Sequence, residues 1–105
     1  MTRPLAFGYM NPPVPSGDDT VWAMEFGLRQ LAEAEGMCYA KTFREPTGSD
    51  SAAALFELIA EMHRSGTRHV LVPSLDHFST LPSYRDQLMA MLRTTAGAQV
   101  WTVGT

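Results

Sequence analysis

Long hydrophobic runs are missing from this 105-residue chain. No apolar stretch approaches the roughly 20 residues that a membrane span requires. Arg3 precedes only Leu5-Ala6-Phe7, far too short for the apolar core of a secretory signal. A cytoplasmic protein is expected. Cysteine is almost absent as well: Cys38 is the only one, so no internal disulfide can form. Its place in the apolar run Met37-Cys38-Tyr39-Ala40 reads as a buried, inert thiol. Positive charge is scarce, eight bases against eleven acids giving a net charge of −3. Arg3, Arg29, Lys41, Arg44, Arg64, Arg68, Arg85 and Arg93 are scattered along the chain. A domain that binds DNA unaided usually shows a basic face, so autonomous DNA binding is not expected.

Two kinds of ligand site are excluded by what their motifs lack. Pro12-Pro13-Val14-Pro15-Ser16-Gly17 stands where a phosphate-binding loop would, but it holds one glycine and no lysine. Prolines cannot donate the backbone N–H groups such a loop depends on. His63, His69 and His77 show no metal-ligand spacing and have no thiolate partners. Neither a cofactor nor a metal is expected.

What the chain does have is strand and helix in alternation. Apolar residues make up 45% of it, enough for a globular core. Leu5-Ala6-Phe7-Gly8-Tyr9 reads as a first strand, ended by the proline-rich segment. Asp18 and Asp19 suit a helix start, and Val21, Met24, Leu28 and Leu31 repeat at helical spacing as far as Glu35, with Gly36 as the stop. A second strand spans residues 37–43. Ser49, Asp50 or Ser51 is the expected cap of a helix carrying Leu55, Leu58, Ile59 and Met62, ended by Ser65-Gly66. His69-Val70-Leu71-Val72-Pro73 reads as a buried parallel strand. A third helix begins near Thr80, buries Leu81, Tyr84, Leu88, Met91 and Leu92, and closes at Gly97. Residues 99–103 form the last strand. The expected fold is α/β: a three-layer, mainly parallel, twisted sheet of about four strands with helices on both faces.

In such sheets, working residues gather beyond the carboxyl ends of the strands. That rule selects residues 11–19, 44–50, 74–80 and the terminus after Val103, a rim of acidic to neutral character that includes Asn11, Asp18, Glu45, Asp76 and His77, with Arg44 as its expected cation. Ser74, Asp76 and His77 invite comparison with a hydrolase triad. No Gly-x-Ser-x-Gly elbow accompanies them, and Asp76 reads better as a loop-bracing residue. Trp22 and Phe26 lie one turn apart, off the main stripe of the first helix. They read as a widened buried face; the alternative is a contact patch for a partner or a second copy.

These segments together resemble the catalytic domain of resolvase/invertase-type serine recombinases, most closely the short, diverged, single-domain members of actinobacteria. Phe7-Gly8-Tyr9-Met10-Asn11-Pro12 is similar to the family's first strand, which runs Tyr-x-Arg-Val-Ser. Val70-Leu71-Val72-Pro73-Ser74-Leu75-Asp76-His77-Phe78-Ser79-Thr80 resembles Val-Leu-Val-x-x-Leu-Asp-Arg-Leu-x-Arg. The resemblance implies one catalytic-domain-like unit over residues 1–105, without a C-terminal DNA-binding domain. It also implies where the family's chemistry would sit: a serine attacks a DNA phosphodiester while arginines stabilise the developing charge. Here Asn11 stands for the first arginine and Pro13 (or Val14) for the serine, with Ser16 an outside candidate nucleophile. A helix arginine maps near Ala52, and His77 and Thr80 replace two more; only Asp76 matches. We expect a catalytically inactive protein serving as an interaction or regulatory module. Its expected contacts are a protein partner or a second copy, through Trp22, Phe26 or the third-helix surface around Met89. The alternatives are an accessory role in DNA recombination beside an active partner, or a small-molecule site at the strand ends.

Overall fold

A computed structural model describes residues 3–12, 17–46 and 52–103. Along the chain run β1 (Leu5–Met10), α1 (Asp18–Ala34), β2 (Cys38–Arg44), α2 (Ala53–Ser65), β3 (His69–Val72), a 3₁₀ turn (Leu75–His77), α3 (Pro82–Ala96) and β4 (Gln99–Thr102). The four strands are parallel and ordered β2-β1-β3-β4. Strand alternation sorts side chains to the two faces. Phe7 and Tyr9 of β1, with Val70 and Val72 of β3, join Leu55, Leu58, Met62, Leu88 and Leu92 beneath α2 and α3. Ala6, Met10 and Leu71 point the other way and meet Val21, Leu28 and Ala32 of α1. Each fully buried aliphatic side chain contributes about 1.5–3 kcal/mol.

All three α-helices stop where the sequence signals it. Gly36, Gly66 and Gly97 each hold a positive φ at a helix C-terminus, a conformation that costs glycine little. Helix starts are less conventional. None of the three has a side-chain hydrogen bond from its own N-cap residue: Gly17 precedes α1, Ala52 precedes α2 and Leu81 precedes α3. The expected caps Ser49, Asp50 and Ser51 lie outside the described residues.

The strands also approach closely at Gly8, whose missing side chain leaves room for Tyr39. A Cβ there would stand 1.9 Å from the Tyr39 hydroxyl. That hydroxyl bonds the Thr42 Oγ1 at 2.6 Å. The β1–β2 register shifts between Ala6 and Phe7, which pair with Tyr39 and Lys41, so β2 carries one additional residue.

Four expectations about burial are corrected. Cys38 is exposed, because it opens an edge strand with a neighbour on one side only. Trp22 and Phe26 are 69% and 47% exposed rather than part of the core. A single helix covers that side of the sheet and needs only the stripe Val21, Leu28 and Ala32; Trp22 and Phe26 are rotated well away from it. Leu81 and Tyr84 are exposed too, since the buried face of α3 begins at Leu88. Met89, expected at an outer surface, is partly buried against the core beneath α2 and α3.

Candidate functional site

The strand order reverses its direction of growth at β1 and β3, so the crevice between their carboxyl ends is where an open α/β sheet holds a ligand. Among the described residues, several polar groups at these strand ends are bonded to one another or to backbone. Glu45 follows β2 and is fully buried (0% exposed). Its carboxylate accepts the Tyr9 hydroxyl at 2.8 Å and the backbone N–H groups of Ala54 and Leu55 at 2.9 and 3.1 Å. Those amides belong to the first turn of α2, where the helix has no intrahelical acceptors to offer them. Glu45 thus caps α2 from a different element, and the positive end of the helix faces its charge. Burial first, and then Glu45, push the Tyr9 pKa up, so its hydroxyl stays protonated and donating. Tyr9 stacks on Phe78 with ring centroids 5.6 Å apart, tying β1 to the segment after β3.

A second link spans the same crevice. The backbone N–H of Asn11 donates to His77 Nδ1 at 2.9 Å. His77 is buried, and burial lowers its pKa against the opposing influence of Asp76. Its ring is neutral, with Nδ1 bare and the proton on Nε2. Asp76 turns outward instead and pairs with Arg85 of α3 at 3.3 Å. Ser74, Asp76 and His77 therefore form no relay: the nitrogen that a carboxylate would orient is occupied by a backbone amide, and the carboxylate is held by an arginine. Through this pair Asp76 joins the turn after β3 to α3.

The residues matched to the family's active site are partly assembled. Asn11, Asp76 and His77 gather at the ends of β1 and β3. Ala52 stands at the N-cap of α2, close to where Glu45 docks, and Thr80 is exposed before α3. Pro13 and Ser16 lie outside the described residues. Sequence reasoning placed Glu45 on the polar rim, among residues that could line a small-molecule site, and gave no role to Tyr9 or Arg85. A tyrosine inside an apolar strand signals a buried hydroxyl in need of a partner, and that was the available hint. Arg85 adds a cation to a rim expected to hold only Arg44, and its Nε is buried with no hydrogen-bond partner among the described residues.

The described residues hold no group of three His, Cys, Asp or Glu able to take a metal ion. None of their helices is long and apolar enough to cross a membrane. No family model and no curated protein sequence matches the chain. Among solved structures, the crystal structure of the N-terminal catalytic domain of TP901-1 integrase is similar to it. The match covers 93% of this chain and 76% of that one, with a TM-score of 0.76 and 18% sequence identity. The parallel four-stranded sheet with its three helices is thus a resolvase-like α/β fold.

Proposed function

We propose that this chain is a catalytically silent relative of the serine recombinases, akin to their short diverged members, and works as a protein-contact module. The observation that carries the reading is the bonding of the described polar groups at the strand ends. A recombinase needs arginines and a serine facing a phosphate; here the Tyr9 hydroxyl and two amides of α2 are taken by Glu45, and His77 Nδ1 is taken by the Asn11 backbone N–H. Polar groups so satisfied have little left with which to bind a ligand. The accessible chemistry lies elsewhere, on the outer side of α1. There Trp22 and Phe26 stack with centroids 5.5 Å apart and rings 14° from parallel. Burying two such side chains yields about 1.5–3 kcal/mol each, and exposed apolar pairs of this kind mark contact surfaces.

A second copy of the chain is the partner to test first. Sedimentation velocity across a hundredfold concentration range is expected to show a monomer–dimer equilibrium that Trp22→Ser with Phe26→Ser abolishes. A wild-type protein that stays monomeric throughout would remove self-association. Incubation with supercoiled DNA is expected to leave it uncut and free of covalent protein; a Ser16-dependent adduct would overturn the silent site.

The likeness to an integrase catalytic domain favours a second reading, an accessory role in DNA recombination beside an active partner. The net charge of −3 opposes unaided binding. A salt-dependent mobility shift with duplex DNA would promote this reading over the first.

A further inference from the structure

We propose that His77 is a proton-operated latch between the two central loops of the fold, holding the end of β1 as a neutral imidazole and releasing it as an imidazolium. The geometry carries this directly. Asn11 is the first residue beyond β1, and its N–H donates to His77 Nδ1 at 2.9 Å. A backbone N–H can bond that nitrogen only while the nitrogen holds no proton. Protonation places an N–H against an N–H, and the bond becomes a repulsive contact. The latch joins β1, which leads towards α1, to the turn after β3, which leads towards α3. Its two halves are 66 residues apart in sequence; the Tyr9–Phe78 stack beside it keeps β1 and the segment after β3 together, so its loss frees the Asn11 amide locally.

The surroundings favour the neutral ring. His77 is buried, and Asp76 is the one charged group among the described residues that pulls its pKa upward. Asp76 in turn pairs with Arg85 of α3 at 3.3 Å, which offsets part of that pull. On the β1–β2 side, Tyr9 with its bonded Glu45 lies beyond Asn11, and Tyr84 of α3 stands near Tyr9. The folded chain therefore takes up the His77 proton less readily than an unfolded chain, whose histidine titrates near 6.5. The stabilisation is fully present above about pH 6.5 and is lost as pH falls from there through the lower folded-state value. The transition thus lies on the acid side of neutrality. The Tyr9–Glu45 bond does not depend on this proton.

Amide hydrogen exchange and imidazole ¹⁵N shifts, followed by NMR from pH 8 to pH 4, test the latch. Neutral His77 should show the Nε2-protonated tautomer. The Asn11 protection factor should fall at least tenfold at the pH where His77 takes its proton, while the β3 amides keep theirs. His77→Asn places a non-titrating acceptor oxygen near the Nδ1 position, so in that variant Asn11 protection should stay level across the range. Three wild-type outcomes overturn the proposal without reference to the variant. These are Asn11 protection unchanged through the His77 midpoint, β3 amides lost together with Asn11, and a His77 ring that takes no proton down to pH 4.

Discussion

The two faces of the sheet solve the same problem by different means. Beneath α2 and α3 the core is broad and includes a buried carboxylate, Glu45, which fastens a strand tyrosine to the first turn of a helix. Beneath α1 the core is narrower, and one close approach organises it: Gly8 vacates the space that Tyr39 fills. One face depends on a satisfied charge, the other on an absent side chain. The first arrangement fails when a partner is removed, the second when an atom is added.

Glu45→Ala should therefore be the most damaging change. It strips the acceptor from the Tyr9 hydroxyl and from two amides of α2 at once, a loss of at least about 3 kcal/mol when each of the three orphaned groups costs about 1–3 kcal/mol. Urea denaturation at pH 7 measures it, and a loss below about 1 kcal/mol would mean that water takes over the cap. Gly8→Ala attacks the other face. Its Cβ meets the Tyr39 hydroxyl at 1.9 Å and the Leu28 Cδ1 at 3.0 Å, so the ring must shift. Overpacking of this kind costs about 1–3 kcal/mol. Because the clash is chiefly with Tyr39, pairing Gly8→Ala with Tyr39→Leu should be less destabilising than the sum of the two single changes, in a double-mutant cycle. Tyr9→Phe comes next. It leaves Glu45 its two amide donors and should cost about 1 kcal/mol, within the ordinary range for one lost hydrogen bond. Trp22→Ser, on the outer side of α1, should change the stability of the monomer by less than about 0.5 kcal/mol. A larger loss on thermal denaturation would show that the aromatic pair supports the helix rather than facing a partner.

Local signals and distant contacts differed in how well the sequence disclosed them. The strand–helix alternation could be read because each element carries its own period, and the helix stops because Gly36, Gly66 and Gly97 occupy left-handed positions. What escaped was set by partners far along the chain. The Tyr9–Glu45 bond joins residues 36 apart, and the Asn11–His77 bond joins residues 66 apart. Exposure escaped for a related reason. Cys38, Trp22, Leu81 and Tyr84 are apolar or aromatic in composition, and only the number of layers and the position of each strand in the sheet decide whether anything covers them. The candidate site was legible as a location, the strand ends, because that follows from topology. The bonds made there were not, since they depend on which side chains meet.

The register shift in β2 has an evolutionary consequence. Tyr39 belongs with the core beneath α1 and Phe43 with the core beneath α2 and α3, although four residues separate them and strict alternation would send both the same way. The additional residue between the pairs Ala6–Tyr39 and Phe7–Lys41 reverses the parity of everything that follows, including the approach to Glu45. A one-codon deletion in this outermost strand would thus misdirect either the ring above Gly8 or the phenylalanine at the far core. Point substitutions at exposed Ala40 should be tolerated, whereas losing the residue should not. For this edge of the molecule, the fold constrains the length of the strand more strictly than the identity of that residue.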